Sequence, residues 1–114
     1  MVWGKAKDYA LAIYKASKKF PKEELYGLTS QIRRAAVSIA SNLAEGTARQ
    51  TGKDKAHFTT VAYSSLMESV NQLIISDELE YIDKDMYLEL RKKAEEISRM
   101  LTALRAAQLR AGGS

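Results

Sequence analysis

The sequence predicts an all-α chain folded as an antiparallel, up-down-up-down four-helix bundle. Three observations carry this expectation. Apolar residues recur at the 3.6-residue period of a helix in four successive segments. Only six Gly and one Pro occur in 114 residues, so long stretches are free of breakers. The connections span a few residues each, and short links between long helices make neighbours antiparallel.

The first helix is expected over residues 3–19, with Trp3, Ala6, Ala10, Ile13, Tyr14 and Ser17 on one face. Phe20-Pro21 stops it, because the residue before a proline is steered out of the helical region. The second is expected from Glu23 or Leu28 to Ala48. Pro21 followed by Glu23 and Glu24 suits a helix start, and Gly27 bends or delays it. Leu28, Ile32, Ala35, Ala36, Ile39 and Leu43 form its apolar stripe, and Gly46 falls on the same face, where it permits a close backbone approach. The third is expected over residues 52–80, opened by Thr51-Gly52-Lys53-Asp54 as a capping box. The fourth is expected over residues 83–109, with Asp83 as N-cap. Met86, Leu90, Ala94, Ile97, Leu101, Leu104 and Gln108 step along it by three and four. One domain covers residues 1–110, and residues 111–114 read as a flexible appendage.

The third helix carries two apolar stripes. Phe58, Ala62, Leu66, Ser69 and Leu73 form one, and Tyr63, Met67, Val70 and Ile74 form the other. They lie roughly 110° apart at 100° per residue. A bundle helix in a monomer needs one buried stripe. The second stripe, with the small-residue strip of Ser30, Val37 and Ser41 on the second helix, is therefore the expected interface between copies of the chain. A deeply buried third helix is the alternative.

Composition removes several chemistries. The chain has no Cys, so it has no disulfide, thiolate metal site or cysteine nucleophile. One His excludes a site with two imidazoles, and Asp54-x-x-His57 has no second copy to make a di-iron bundle. Gly46 to Lys53 departs from the phosphate-loop spacing, and Asp54 follows the lysine. Glu45 and Glu68 are candidates for two carboxylates near the bundle interior, most simply as hydrogen-bond partners of Asn42, Gln72 or a helix end. No cofactor and no catalytic residue are expected. No apolar run of about 18 residues or signal core occurs, so no membrane partner is expected and the protein is expected in the cytoplasm.

Charge is unevenly placed. The net value is +4, from 18 basic and 14 acidic residues. Residues 1–56 hold 11 basic and 5 acidic side chains, and residues 57–114 hold 7 and 9. A basic half is compatible with nucleic acid, but with no dense Lys/Arg run plain solvated surface is the simpler reading of the charge alone.

One run is distinctive: Phe20-Pro21-Lys22-Glu23-Glu24-Leu25-Tyr26-Gly27-Leu28-Thr29-Ser30-Gln31-Ile32-Arg33-Arg34-Ala35-Ala36-Val37-Ser38-Ile39, then Ser41-Asn42-Leu43-Ala44-Glu45-Gly46. It resembles the four helix bundle proteins encoded by intervening sequences within bacterial 23S ribosomal RNA genes. The likeness continues through Leu66-Met67-Glu68, Gln72-Leu73 and the turn Glu80-Tyr81-Ile82. The resemblance implies an antiparallel bundle that assembles as a homopentameric ring. It also implies kinship with the accessory proteins of diversity-generating retroelements, which engage RNA and a reverse transcriptase. Ala40 stands where the family usually has Pro, so the second helix is expected to run without a proline kink. Ala40, the missing Cys and the Gly-Gly-Ser end also fit an engineered variant of a natural scaffold.

The leading expectation is an RNA-binding oligomer with Arg33, Arg34, Arg49, Lys53 and Lys55 on phosphates and no base readout. If Arg33 and Arg34 pair within the fold instead, they are structural. The alternative function is a self-assembling scaffold with no ligand.

Overall fold

The computed structural model describes residues 1–111, and the appendage at residues 112–114 lies outside them. Four helices follow in order: α1 (Val2–Ser17), α2 (Leu28–Thr47), α3 (Gly52–Glu78) and α4 (Lys84–Ala111). Ala111, expected in the appendage, instead closes α4. A short 3-10 turn, Lys22–Glu24, precedes α2, so Gly27 delays that helix until Leu28.

Local chemistry explains the ends. The Thr51 hydroxyl accepts the Asp54 N–H at 3.1 Å, which caps α3. Asp83 Oδ1 accepts the Met86 N–H at 2.9 Å, which caps α4. At the end of α3, Glu80 sits at φ 62°, while the N–H groups of Glu80 and Tyr81 bond back to Asp77 and Ser76. This left-handed closure favours glycine. Glu80→Gly is therefore expected to raise stability by about 1 kcal/mol, read as a higher Tm.

The helices are antiparallel neighbours around a square. On the α3–α4 side, Thr59 meets Gln108 and Asp77 meets Lys84. On the α2–α3 side, Ser38 meets Ser65 and Gly46 meets Phe58. On the α1–α4 side, Lys5 meets Glu96, while Ala16 and Met86 share one groove. The bundle measures 49 × 24 × 19 Å.

The core is mostly aliphatic, with Ile13, Ile32, Ile39, Leu66, Leu73, Leu90, Ile97 and Leu101 fully enclosed. Its one fully enclosed aromatic is Tyr9, which the sequence reading omitted. Trp3 and Tyr14, expected inward, are 47% and 41% exposed. The inward face of α1 is Ala6, Tyr9, Ala10, Ile13, Ala16 and Ser17, so four of the expected residues are buried and the face is turned by about half a residue's rotation. Tyr9 crosses the diagonal of the square to lie 2.8 Å from the Ser69 hydroxyl. Ser69 donates its own proton to the Leu66 carbonyl at 2.7 Å, so the phenol is the donor to Ser69.

The α2–α3 seam is made of small residues. Gly46 is buried as expected, and a Cβ there would stand 3.2 Å from the Phe58 Cβ. α2 continues through Ala40 as an uninterrupted helix.

Candidate nucleic-acid interface

The five expected cationic residues fall into two groups. Arg33 and Arg34 lie on the second turn of α2, whereas Arg49, Lys53 and Lys55 surround the α2–α3 turn at the other end of that helix. About 20 Å of helix separates Arg34 from that turn.

Arg33 is half-buried and engaged within the chain. Its Nε donates to the buried Ser17 hydroxyl at 2.7 Å, one Nη reaches the Tyr14 carbonyl at 3.5 Å, and the guanidinium lies 4.8 Å from the Tyr14 ring centre. A cation here meets the negative end of α1. Its role is to tie α2 to the last turn of α1. Arg33→Ala is expected to lower stability by about 1–2 kcal/mol in denaturant unfolding. Arg34 is exposed and lines a groove that also contains Glu68.

The turn is different in character. Lys53 is exposed and Lys55 half-buried on the first turns of α3, where the helix terminus adds partial positive charge. Arg49 is held in place: it bonds Glu45 at 3.1 Å and stacks 4.6 Å from the Phe58 ring centre. That leaves its guanidinium positioned and partly neutralised.

The fold adds two residues that sequence reasoning missed. Arg105 and Arg110, on the last turns of α4, come beside the first turns of α3. The signal was available, because antiparallel pairing of α3 and α4 must bring the end of one to the start of the other. Residues 44–60 and 100–111 then share one end of the bundle, with five basic and two acidic side chains. The opposite end, residues 14–30 and 75–93, holds eight of each. The molecule is electrically polar along its length, at +3 against zero.

The neutral end is built around Glu24. Its carboxylate accepts the Leu28 N–H at 3.1 Å and the Tyr81 hydroxyl at 3.0 Å, and the latter bond raises the phenol's pKa. Phe20 packs beside Tyr81 with ring centres 5.7 Å apart.

The expected interface stripe is divided. Val70 and Ile74 pack partly against the core, while Tyr63 and Met67 stay exposed. Met67 and Val70 share a groove on the α3–α4 side, and Tyr63 lines a separate one nearer the basic end. Val37 and Ser41 are exposed on the outer face of α2.

Glu45 and Glu68, expected near the interior, are both exposed. Glu45 is neutralised by Arg49, and Glu68 makes only a 3.4 Å contact with Gln72. They converge on nothing. His57 is exposed at the start of α3. Among the described residues, no three His, Asp or Glu side chains stand where they could hold a metal ion. No helix among them is long and apolar enough to cross a membrane.

The family described as 23S rRNA-intervening sequence protein matches residues 1–103. No curated protein matches the chain. Among solved structures, a protein of unknown function from the S23 ribosomal protein family of Bacteroides thetaiotaomicron superposes with a TM-score of 0.85. It is 23% identical, and the match covers 92% of this chain and 98% of that one. At that identity the likeness shows the fold alone.

Proposed function

Because the chain belongs to the 23S rRNA-intervening sequence protein family, we propose that it is a non-enzymatic, homo-oligomeric bundle that holds structured RNA against its basic end. The observation that carries this reading is the electrical polarity of the bundle. Arg49, Lys53 and Lys55 from the turn are joined there by Arg105 and Arg110 from α4. Phosphate oxygens are the chemistry such a surface recognises, without reading base sequence.

Assembly would multiply the effect. Val37 is 40% exposed on the outer face of α2 and Met67 is 39% exposed on the α3–α4 side. These are unlike patches on different helices. Pairing one with the other is heterologous, and such contacts close into rings. The resemblance implies five copies. A ring repeats each basic end, so weak phosphate contacts add in avidity. Val37→Glu with Met67→Glu is expected to reduce the mass in light scattering to that of one chain, with helicity retained in circular dichroism. Ile74 is left untouched because it packs on the core.

The reading is tested by fluorescence anisotropy of a labelled, structured ribosomal RNA fragment at low and at physiological salt. Micromolar or tighter binding is expected, weakening steeply as salt rises from about 50 to about 200 mM. Absence of binding at both would leave the protein as a self-assembling scaffold.

A further inference from the structure

We propose that the groove between the first turns of α3 and the last turns of α4 is a seat for an unpaired nucleotide of the bound RNA. This rests on the RNA reading above and adds to it the class of RNA feature recognised: a loop, bulge or single-stranded end.

The groove encloses about 580 Å³, within the range of small-molecule sites. Its apolar side is formed by Tyr63, Leu101, Ala106 and Leu109. Tyr63 and Leu109 remain 37% and 41% exposed, so an aromatic and an aliphatic surface both face outward beside the basic end. Arg105 and Arg110 complete the wall, and among the described residues no carboxylate lines it. Each of the other grooves described here has an acidic side chain in its lining, as with Asp83, Asp8, Glu95 and Glu68. Cations without a neighbouring acid, beside an apolar surface, are complementary to a phosphate attached to a flat ring.

Arg105 is also oriented. Its Nε donates to the Thr60 hydroxyl at 2.8 Å, and Thr60 in turn donates to the Ala56 carbonyl at 3.0 Å. A guanidinium has five N–H donors in a rigid fork. Fixing one of them on α3 spans the groove and pre-orients the others, which lowers the ordering cost of a phosphate contact.

The aromatic surface is what separates this site from a plain basic patch. In duplex RNA the faces of the bases are covered by their neighbours. Away from a helix end, only an unpaired base can lay its face on Tyr63. Base–aromatic stacking is tolerant of sequence, which agrees with a site that offers few groups for reading base edges.

The test compares two labelled RNAs by anisotropy, a hairpin with an open loop and a blunt duplex of the same stem. The wild type should bind the hairpin more tightly. Tyr63→Ala should weaken hairpin binding by roughly tenfold or more and leave the duplex unaffected. Tyr63→Phe, which keeps the ring, should restore the hairpin. Arg105→Ala should weaken the hairpin more than the duplex. Circular dichroism and light scattering check that each variant keeps its fold and mass. Equal wild-type binding of both RNAs, or equal loss of both in Tyr63→Ala, would overturn the nucleotide seat and leave the basic end standing. A change of mass in Tyr63→Ala would overturn it in favour of a contact between copies. Binding of neither RNA by the wild type would overturn the RNA reading itself, and the seat with it.

Discussion

Tyr9→Ala is expected to remove about 3–5 kcal/mol of stability, a large share of what a domain of this size possesses. Tyr9 is fully buried and reaches across the bundle from α1 to α3. Truncation would leave a void in the core between α1 and α3, with Ser69 facing it. Tyr9→Phe isolates the hydroxyl. It removes the Tyr9–Ser69 bond, but Ser69 keeps its own bond to Leu66, so about 1 kcal/mol is expected. Burial also pushes the Tyr9 phenol up to about 12 from its ordinary 10. Above pH 10 the unfolded chain loses this proton while the folded chain holds it, so the contribution is complete below pH 10 and is lost as pH rises toward 12. Roughly 2–3 kcal/mol disappears across that window. Denaturant unfolding across it checks the sign: the wild type should fall more steeply with pH than Tyr9→Phe.

Tyr9 also shows where sequence reading met its boundary. In α1 two faces are both apolar enough to be the core. One runs through Trp3, Ala10 and Tyr14, and the other through Ala6, Tyr9 and Ile13. Periodicity fixes that a helix forms, and it does not choose between overlapping stripes when Ala6, Ala10 and Ile13 serve both. The choice is made by Ser69, sixty residues away. Helix ends were more legible because their causes are local: Thr51 and Asp83 act on N–H groups three residues ahead. The distant partners of charged side chains were not. Arg33 reads as a phosphate ligand until Ser17 and Tyr14 are placed beside it, and Glu45 reads as interior until Arg49 is seen to neutralise it at the surface.

The distinctive run that carries the resemblance accordingly divides by role. Phe20, Glu24 and Leu28 build the neutral end together with Tyr81. Gly27 leaves room for the Glu24 carboxylate, since a Cβ there would stand 2.9 Å from Glu24 Oε1. Arg33 fastens α1, and Gly46 admits Phe58. These residues hold the bundle in shape. The cations best placed for a ligand lie beyond the run, in the turn and at the end of α4, where local pattern carries little information and only the pairing of helices collects them.

Reversing the turn's charge is the sharper test of function. Arg49→Glu, Lys53→Glu and Lys55→Glu together turn the basic end from +3 to −3. RNA affinity is expected to fall by at least about 100-fold at low salt, and the slope of log affinity against log salt to flatten by about two to three. Stability should change little. Lys53 is exposed, and an acid near the start of α3 is favoured by the helix terminus. The opposing effect is at Arg49, where the contact with the Phe58 ring is lost and Glu45 gains a like charge four residues away, for about 1 kcal/mol together. Arg33→Ala supplies the contrast, because it should lower stability and spare affinity. If the two variants exchanged these behaviours, the phosphates would lie along the first turns of α2 and the basic end of the bundle would be ordinary solvated surface. If the triple variant lost affinity equally for unrelated RNAs, the contacts would be to phosphate, and any preference among RNAs would have to come from shape and unpaired bases.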